Sequence, residues 1–307
     1  MPFRFDAFYG CLHDAREVTM RRLQVGPVLM SVTLLLGGAA WPCTTFLLSN
    51  DGAPIFGKNY DWDISRGLLE TNPRGLHKNA LTLDNPASWT SRYGSVTFNQ
   101  YGREFPCGGM NEAGLVIEVM WLDGSEYPQP DARPCINIGQ WVQYQLDTAA
   151  SVQEVLDSDR KVRVGTIGDA GAPLHYLVAD AQGDCAAVEF LGGKMCARHG
   201  DTLPERALTN DTYPDSLAAF KLDTAARAKK EWAKDSASSL RRFCAAAERA
   251  RKFTPRPQEQ AVKYAFDTLE AAFNPGWTVW AIVYDLRDRR IFYRTKDNAT
   301  MRSIGLK

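Results

Sequence analysis

The sequence has few of the residues and patterns by which several common activities are recognised. Its seven cysteines include no C-x-x-C pair, and its four histidines form no cluster at ligand spacing, which argues against a structural zinc framework or any other metal site. Lys+Arg and Asp+Glu are equal at 36 each, so no basic field draws nucleic acid or an anionic membrane surface. There is no internal repeat, no low-complexity tract, and no Pro/Gly/Ser linker long enough to separate two domains. The apolar segment Val25 to Leu36 is too short for a comfortable membrane span. What is present is an ordinary globular composition: 307 residues, 45% hydrophobic and 23% charged, enough for a substantial core.

The N-terminus carries the strongest compositional signal. From Met20 the order is Arg21-Arg22, the apolar run, then Gly37-Gly38-Ala39-Ala40, which matches the n-, h- and c-regions of a secretory signal. Met20 is then the expected true start, and removal of the signal would take Cys11 with it. The mature protein is expected to be exported, periplasmic or secreted. The competing reading of the segment is a buried N-terminal helix. Trp41-Pro42 is awkward at the joint, because cleavage after Ala40 leaves two residues ahead of Cys43. A second trimming step, for which autocatalysis is one route, would have to free it.

Beyond Cys43 the chain reads as strands at both ends with helices between. Thr44 to Leu48 is β-branched and apolar, Asn50-Asp51-Gly52 is turn chemistry, and Pro54 to Tyr60 is again extended, which predicts a hairpin. Gly94 to Asn99, Gly114 to Leu122, Leu174 to Ala179 and Ala186 to Leu191 read as strands, the last turning through Gly192-Gly193 into Lys194 to Ala197. That register sets Cys196 opposite Glu189 and not opposite Cys185. Ile136 to Leu146 and Ser151 to Asp157 read as helical, with Ser151 as an N-cap. Asp215 to Phe273 is rich in Ala, Lys, Arg and Glu at helical spacing, and two strands, Thr278 to Asp285 and Arg290 to Thr295, close the chain. The expected class is α+β, with sheets packed on each other and helices covering them.

A cysteine at a processing boundary has three readings: a structural thiol or half-cystine, a lipid attachment point, or a residue made N-terminal so that its own α-amine serves catalysis. Trp41-Pro42 suits the second poorly. The third has a physical basis, since an α-amine with a pKa near roughly 8 can take the thiol proton. A neighbouring cation favours the attacking thiolate.

Several blocks bear on the choice. Cys43-Thr44-Thr45-Phe46, the turn at Asp51-Gly52 and Phe56-Gly57-Lys58-Asn59-Tyr60-Asp61-Trp62 are followed by Gly109-Met110-Asn111-Glu112-Ala113-Gly114-Leu115. Then come Leu208-Thr209-Asn210, Ser238-Ser239-Leu240-Arg241-Arg242-Phe243, and the closing stretches Trp280 to Asp285 and Tyr293 to Asn298. In this order and spacing the chain resembles the choloylglycine hydrolases and penicillin V acylases, members of the N-terminal-nucleophile hydrolases; the acid ceramidase group opens similarly. The resemblance implies a four-layer αββα sandwich of two mainly antiparallel sheets, with residues 43–307 as a single catalytic domain and residues 1–42 removed. It implies hydrolysis of a linear, non-peptide amide with no cofactor.

Carried over by residue, the nucleophile falls on Cys43, the Arg-x-x-Asp pair on Lys58 and Asp61, the oxyanion asparagine on Asn210 and the late arginine on Arg242. Asp61 is expected to hold the amine and thiol in position, and Arg242 to favour the thiolate. Lys58 departs from the usual arginine and lacks its planar fork. Trp62 and Trp121 resemble the Gram-negative branch, where aromatic residues line the acyl pocket. Bile salts, phenoxyacetyl penicillins, N-acyl homoserine lactones and N-acyl amino acids are the candidate small-molecule substrates, with the middle two favoured by the tryptophans. A homo-oligomer is compatible with the family, but the stretch between Asn210 and Arg242 is shorter than in Gram-positive bile salt hydrolases and lacks the extension that locks their tetramer.

Plainer readings stand beside these roles: Asp61 as a turn cap, Asn210 as a turn residue, Arg242 as a solvated helix residue, Trp62 and Trp121 as core. Two other functions remain to be weighed. One is a papain-like protease pairing Cys43 with His175, at roughly the separation such enzymes show. The other is a non-catalytic exported envelope or binding protein with Cys43 lipidated or disulfide-bonded.

Overall fold

The opening hairpin sets the geometry of everything behind it. Asp51 and Gly52 adopt positive φ, 35° and 73°, and Ala53 N–H donates to the Asn50 carbonyl at 2.6 Å. Two successive left-handed residues give the tight reversal whose twist suits paired strands, and Gly supplies the second at no steric cost. The turn joins β1 (Thr44–Leu48) to β2 (Ile55–Asp61) in register, Thr44 opposite Asn59 and Leu48 opposite Ile55. Both strands are buried along their whole length, so each must be covered on two faces.

The computed structural model describes residues 42–166, 171–222, 224–235 and 237–306, all within one compact unit, Ala39–Lys307. The signal-like segment, Met20, Cys11 and Trp41 lie outside the described residues. After β2 come β3 (Leu68–Asn72), β4 (His77–Asn79), β5 (Ser88–Thr90), β6 (Ser95–Asn99), β7 (Pro106–Asn111), β8 (Val116–Trp121) and β9 (Cys135–Asn137). Helices α1 (Trp141–Thr148) and α2 (Val152–Asp157) lead to β10 (Arg163–Gly165), β11 (Leu174–Ala179), β12 (Cys185–Leu191), β13 (Lys194–His199) and β14 (Ala207–Leu208). The helical block holds α3 (Tyr213–Phe220), α4 (Thr224–Ala228), α5 (Ser239–Lys252) and α6 (Gln258–Ala271). The chain closes on β15 (Thr278–Asp285), β16 (Arg290–Thr295) and β17 (Asn298–Gly305).

Two antiparallel sheets result. The first has six strands in the order β14-β1-β2-β15-β16-β17, and the second has seven in the order β13-β12-β11-β8-β7-β6-β3. Helices α5 and α6 pack on β1, β2 and β15, while α1 packs on β7 and β8. The layers are therefore helix, sheet, sheet, helix, the αββα sandwich expected from the resemblance.

Three details differ from the sequence expectation. The segment expected as one helix from Ile136 instead opens with β9, which pairs in parallel with β10 and delays the helix to Trp141. Strand β17 was not foreseen: its polar, exposed residues carry no inward-outward alternation, and it is held by pairing with β16. Strand β7, Pro-Cys-Gly-Gly-Met-Asn, reads poorly as a strand because its glycines weaken β propensity. Elsewhere the expectations match: Ser151 accepts from Glu154 N–H as N-cap of α2, and Glu189 pairs with Cys196.

Candidate active site

Cys43 sits one residue before β1, against the strand pair that the hairpin creates. It is 3% exposed, and its Sγ lies 3.9 Å from the backbone oxygen of Asp61. Asn210 follows β14, whose residue Leu208 pairs with Thr45 of β1, so sheet pairing alone brings it to the start of that strand. Its Oδ1 accepts from Cys43 N–H at 2.7 Å and from Arg242 Nη2 at 2.9 Å. Its Nδ2 donates one hydrogen to the Trp121 carbonyl at 2.9 Å, which fixes the amide plane and leaves the second N–H for another acceptor.

Arg242 reaches the same point from α5. Its Nη1 donates to the Cys43 carbonyl and, at 2.9 Å, to Thr44 Oγ1. A guanidinium this buried keeps its charge only because oxygens meet its fork. The two blocks that carry Asn210 and Arg242 are also bonded to each other. Asn210 N–H donates to Ser239 Oγ at 2.8 Å, and Ser239 Oγ donates to Thr209 Oγ1 at 2.9 Å.

Lys58 and Asp61 are three residues apart on β2, which puts them on opposite faces of a regular strand. Lys58 turns into the space between the sheets, donating to the Val119 carbonyl, 3.9 Å from Glu118 Oε2 and 5.6 Å from the centre of the Tyr60 ring. Asp61 is fully buried, and neither carboxyl oxygen has a well-formed hydrogen bond. Burial pushes its pKa up to about 7 against the pull of Arg242, Thr278 and Lys58. The Cys43 thiol is also pushed up by burial; Lys58, more than Arg242, opposes that rise, while Asp61 adds to it. Arg242, expected from the resemblance to favour the thiolate, acts in that direction but less than Lys58.

A cavity of ≈ 460 Å³ opens at Cys43. Trp62, Trp121, Tyr101, Phe105 and Leu174 form part of its wall, and among the described residues no charged side chain lines it. Trp62 and Trp121 stand with ring centres 6.0 Å apart, and Trp121 Nε1 donates to Asp123 Oδ1 at 2.5 Å. Cys107 also lines the wall, its thiol pushed up to about 11 by burial.

His175 does not reach this cavity. It is buried in β11, with Nε2 2.7 Å from the Thr209 carbonyl and Nδ1 3.4 Å from Glu189 Oε1. The Asn111-Glu112-Ala113-Gly114-Leu115 block lies outside it too. Asn111 Oδ1 accepts from the backbone of Ala113 and Leu115, both at 3.0 Å, and Nδ2 donates to Leu146 and Ala149 carbonyls at the end of α1. The sequence reading missed Glu118, whose one visible sign is an acid in the otherwise apolar run Val116 to Trp121.

These layers and strand orders define an N-terminal-nucleophile hydrolase fold. Residues 43–214 match the model of the linear amide C-N hydrolases, choloylglycine hydrolase family, and the chain belongs to that family. It is 34% identical over 189 residues, 56% of its length, to a penicillin V acylase of Pectobacterium atrosepticum. The match covers 50% of that protein, so the chain spans about half the length of the curated relative it matches. Among solved structures it is similar to penicillin V acylase from Agrobacterium tumefaciens, with a TM-score of 0.72, 27% identity and 86% of each chain covered. It also shares its fold with a mutant conjugated bile acid hydrolase from Clostridium perfringens, with a TM-score of 0.69 and 16% identity over 86% of this chain and 92% of that one.

Proposed function

We propose that the protein hydrolyses a linear, non-peptide amide C–N bond of a small N-acyl substrate, with Cys43 as nucleophile once processing has made it N-terminal. The observation that carries this reading is the buried Asp61 carboxyl, whose charge acts on the Cys43 thiol and neither of whose oxygens makes a well-formed hydrogen bond. A buried carboxyl short of hydrogen bonds is costly to ionise, and a cationic α-amine on residue 43 supplies what it lacks. Export to the periplasm or outside the cell, supported by the signal-like order from Met20 to Ala40, belongs to the same proposal, as does residues 43–307 acting as one catalytic domain.

In this mechanism the α-amine takes the thiol proton and the thiolate attacks the scissile carbonyl carbon. The spare N–H of Asn210 donates to the oxyanion, in an amide plane already fixed by Trp121, Cys43 and Arg242. The amine returns its proton to the leaving nitrogen as the C–N bond breaks, leaving a thioester; water attacks that and the acid departs. The acyl group enters the aromatic-walled cavity, which suits an aryl or aliphatic acyl chain; among the described residues it offers no cation to an anionic tail.

The geometry gives the competing readings little support. His175 is turned to Thr209 and Glu189, away from the cavity at Cys43. Cys43 is unpaired, as are the other cysteines among the described residues, and its thiol is too enclosed to carry a diacylglycerol into a membrane. The mass of the mature N-terminus and a mass-spectrometric amide-hydrolysis panel test the proposal. A free Cys43 is expected, Cys43→Ala should abolish turnover, and Cys43→Ser should be processed but lose most of the rate. Full amidase activity in Cys43→Ala sinks the reading.

A further inference from the structure

Lys58 stands in a setting that the catalytic scheme above does not use. In an antiparallel pair, residues directly opposite share a face, and Lys58 lies opposite Thr45. Cys43, two residues before Thr45, projects to that same face by the alternation of the strand. The face looks across at β8, where Thr45 Oγ1 is 3.5 Å from Met120 Sδ. The ammonium and the nucleophile thus face the same side of the sheet, toward β8.

Glu118 enters the space between the sheets from the opposite sheet. Its Oε2 is 3.9 Å from Lys58 Nζ, and its Oε1 accepts the hydroxyl of Tyr284 on β15. Room for it is made by Gly108 on the neighbouring strand β7: a Cβ there would lie 2.2 to 2.4 Å from the Glu118 carboxyl atoms. A carboxyl group fully out of water, with a backbone cleared around it and two partners aimed at it, is a built feature of the fold.

We infer that Glu118 is a positioning residue for the reactive thiolate: its ion pair holds the Lys58 ammonium in place on the face that Cys43 shares. The inference rests on the reading of Cys43 as nucleophile. Without Glu118, Lys58 Nζ keeps the Val119 carbonyl but loses the carboxyl group that draws it into this space. Among the described residues no other acid lies within ion-pair distance of Lys58. The remaining groups are accounted for: Tyr284 and Cys107 act with Lys58 on Glu118 or beside it, and Asp61 and Arg242 act with Lys58 on Cys43.

The experiment uses processed protein with Cys43 confirmed as its first residue. The rate of iodoacetamide alkylation at the Cys43 peptide is followed by mass spectrometry across pH, and kcat and KM are measured in parallel. Glu118→Gln is expected to move the acid limb of the alkylation profile upward by at least about one pH unit, the size of a lost neighbouring charge, with KM little changed. Lys58→Met should give a similar shift, and adding Glu118→Gln to it should change nothing more. Tyr284→Phe, which keeps the ring and removes one hydrogen bond, should give a smaller shift in the same direction, and serves if Glu118→Gln does not fold. An unmoved limb in Glu118→Gln or in Tyr284→Phe, or shifts that sum in the double variant, overturns the inference. Those results concern a thiol still required for turnover; failure of the nucleophile reading shows separately, as activity retained in Cys43→Ala.

Discussion

Asn210 is the residue on which most of the proposed chemistry converges, because one amide group satisfies three neighbours. Its oxygen holds the Cys43 nitrogen and the Arg242 guanidinium, and its nitrogen holds the Trp121 carbonyl. An aspartate of the same shape could accept both donors but could not donate to the carbonyl or to an oxyanion. Asn210→Asp is therefore expected to keep the fold, since Arg242 gains a charged partner, yet to lose roughly 10²- to 10³-fold in kcat, the usual cost of one oxyanion donor. Steady-state kinetics with a thermal melt on the same sample checks this, and near-parental kcat would remove Asn210 from the oxyanion role. His175 gives the contrasting case. It touches the backbone of Thr209 and not the cavity, so His175→Gln should retain turnover within about tenfold, where a papain-like enzyme would lose its general base. Neither distinction was fully visible in the sequence: the motif Leu208-Thr209-Asn210 pointed to the asparagine, whereas the role of His175 depends on which strand lies beside β11.

At the scale of elements, two joints hold the candidate site, the β1–β2 hairpin and the seam between the Thr209-Asn210 segment and the start of α5. The seam consists largely of Ser239, which accepts from Asn210 N–H and bonds Thr209 Oγ1. Ser239→Ala should cost about 1 kcal/mol of stability, the typical worth of such a bond, and lower kcat several-fold by loosening Asn210 while leaving KM near its parental value. A denaturant titration paired with kinetics reads both quantities; an unchanged kcat would show that the strand pairing of Leu208 with Thr45 positions Asn210 by itself. Legibility divides along the same joints. The hairpin was readable because turn chemistry and β-branched runs are local, and α5 because its apolar spacing is periodic. The pairing of β9 with β10 and the Lys58–Glu118 contact were not readable, since each depends on the register between segments distant in sequence, and the edge strand β17 was not because its polar residues carry no alternation.

The whole molecule stores ionisable groups in its interior, and on the proposed reading its stability depends on whether residue 43 is still joined to Pro42. In the joined form the Asp61 and Glu118 carboxyls are each raised to about 7, burial being the largest cause for both. A carboxyl raised above its unfolded value binds more protons in the folded chain, so its contribution is complete below the unfolded pKa near 4 and is lost as pH rises through about 7. Replacing Asp61 by asparagine removes that loss. In chain that retains Pro42, Asp61→Asn should melt close to the parent at pH 4 and several degrees above it at pH 8, the gap opening as pH rises between those limits. In processed chain the α-ammonium of Cys43 would partner the Asp61 carboxylate and lower its pKa. The same substitution should then destabilise at pH 8, because it discards an ion pair. A reversal of sign between joined and processed protein is the expected result in paired thermal melts. The same sign in both would mean that Asp61 does not meet the amine, and would take away the observation on which the proposed chemistry chiefly rests.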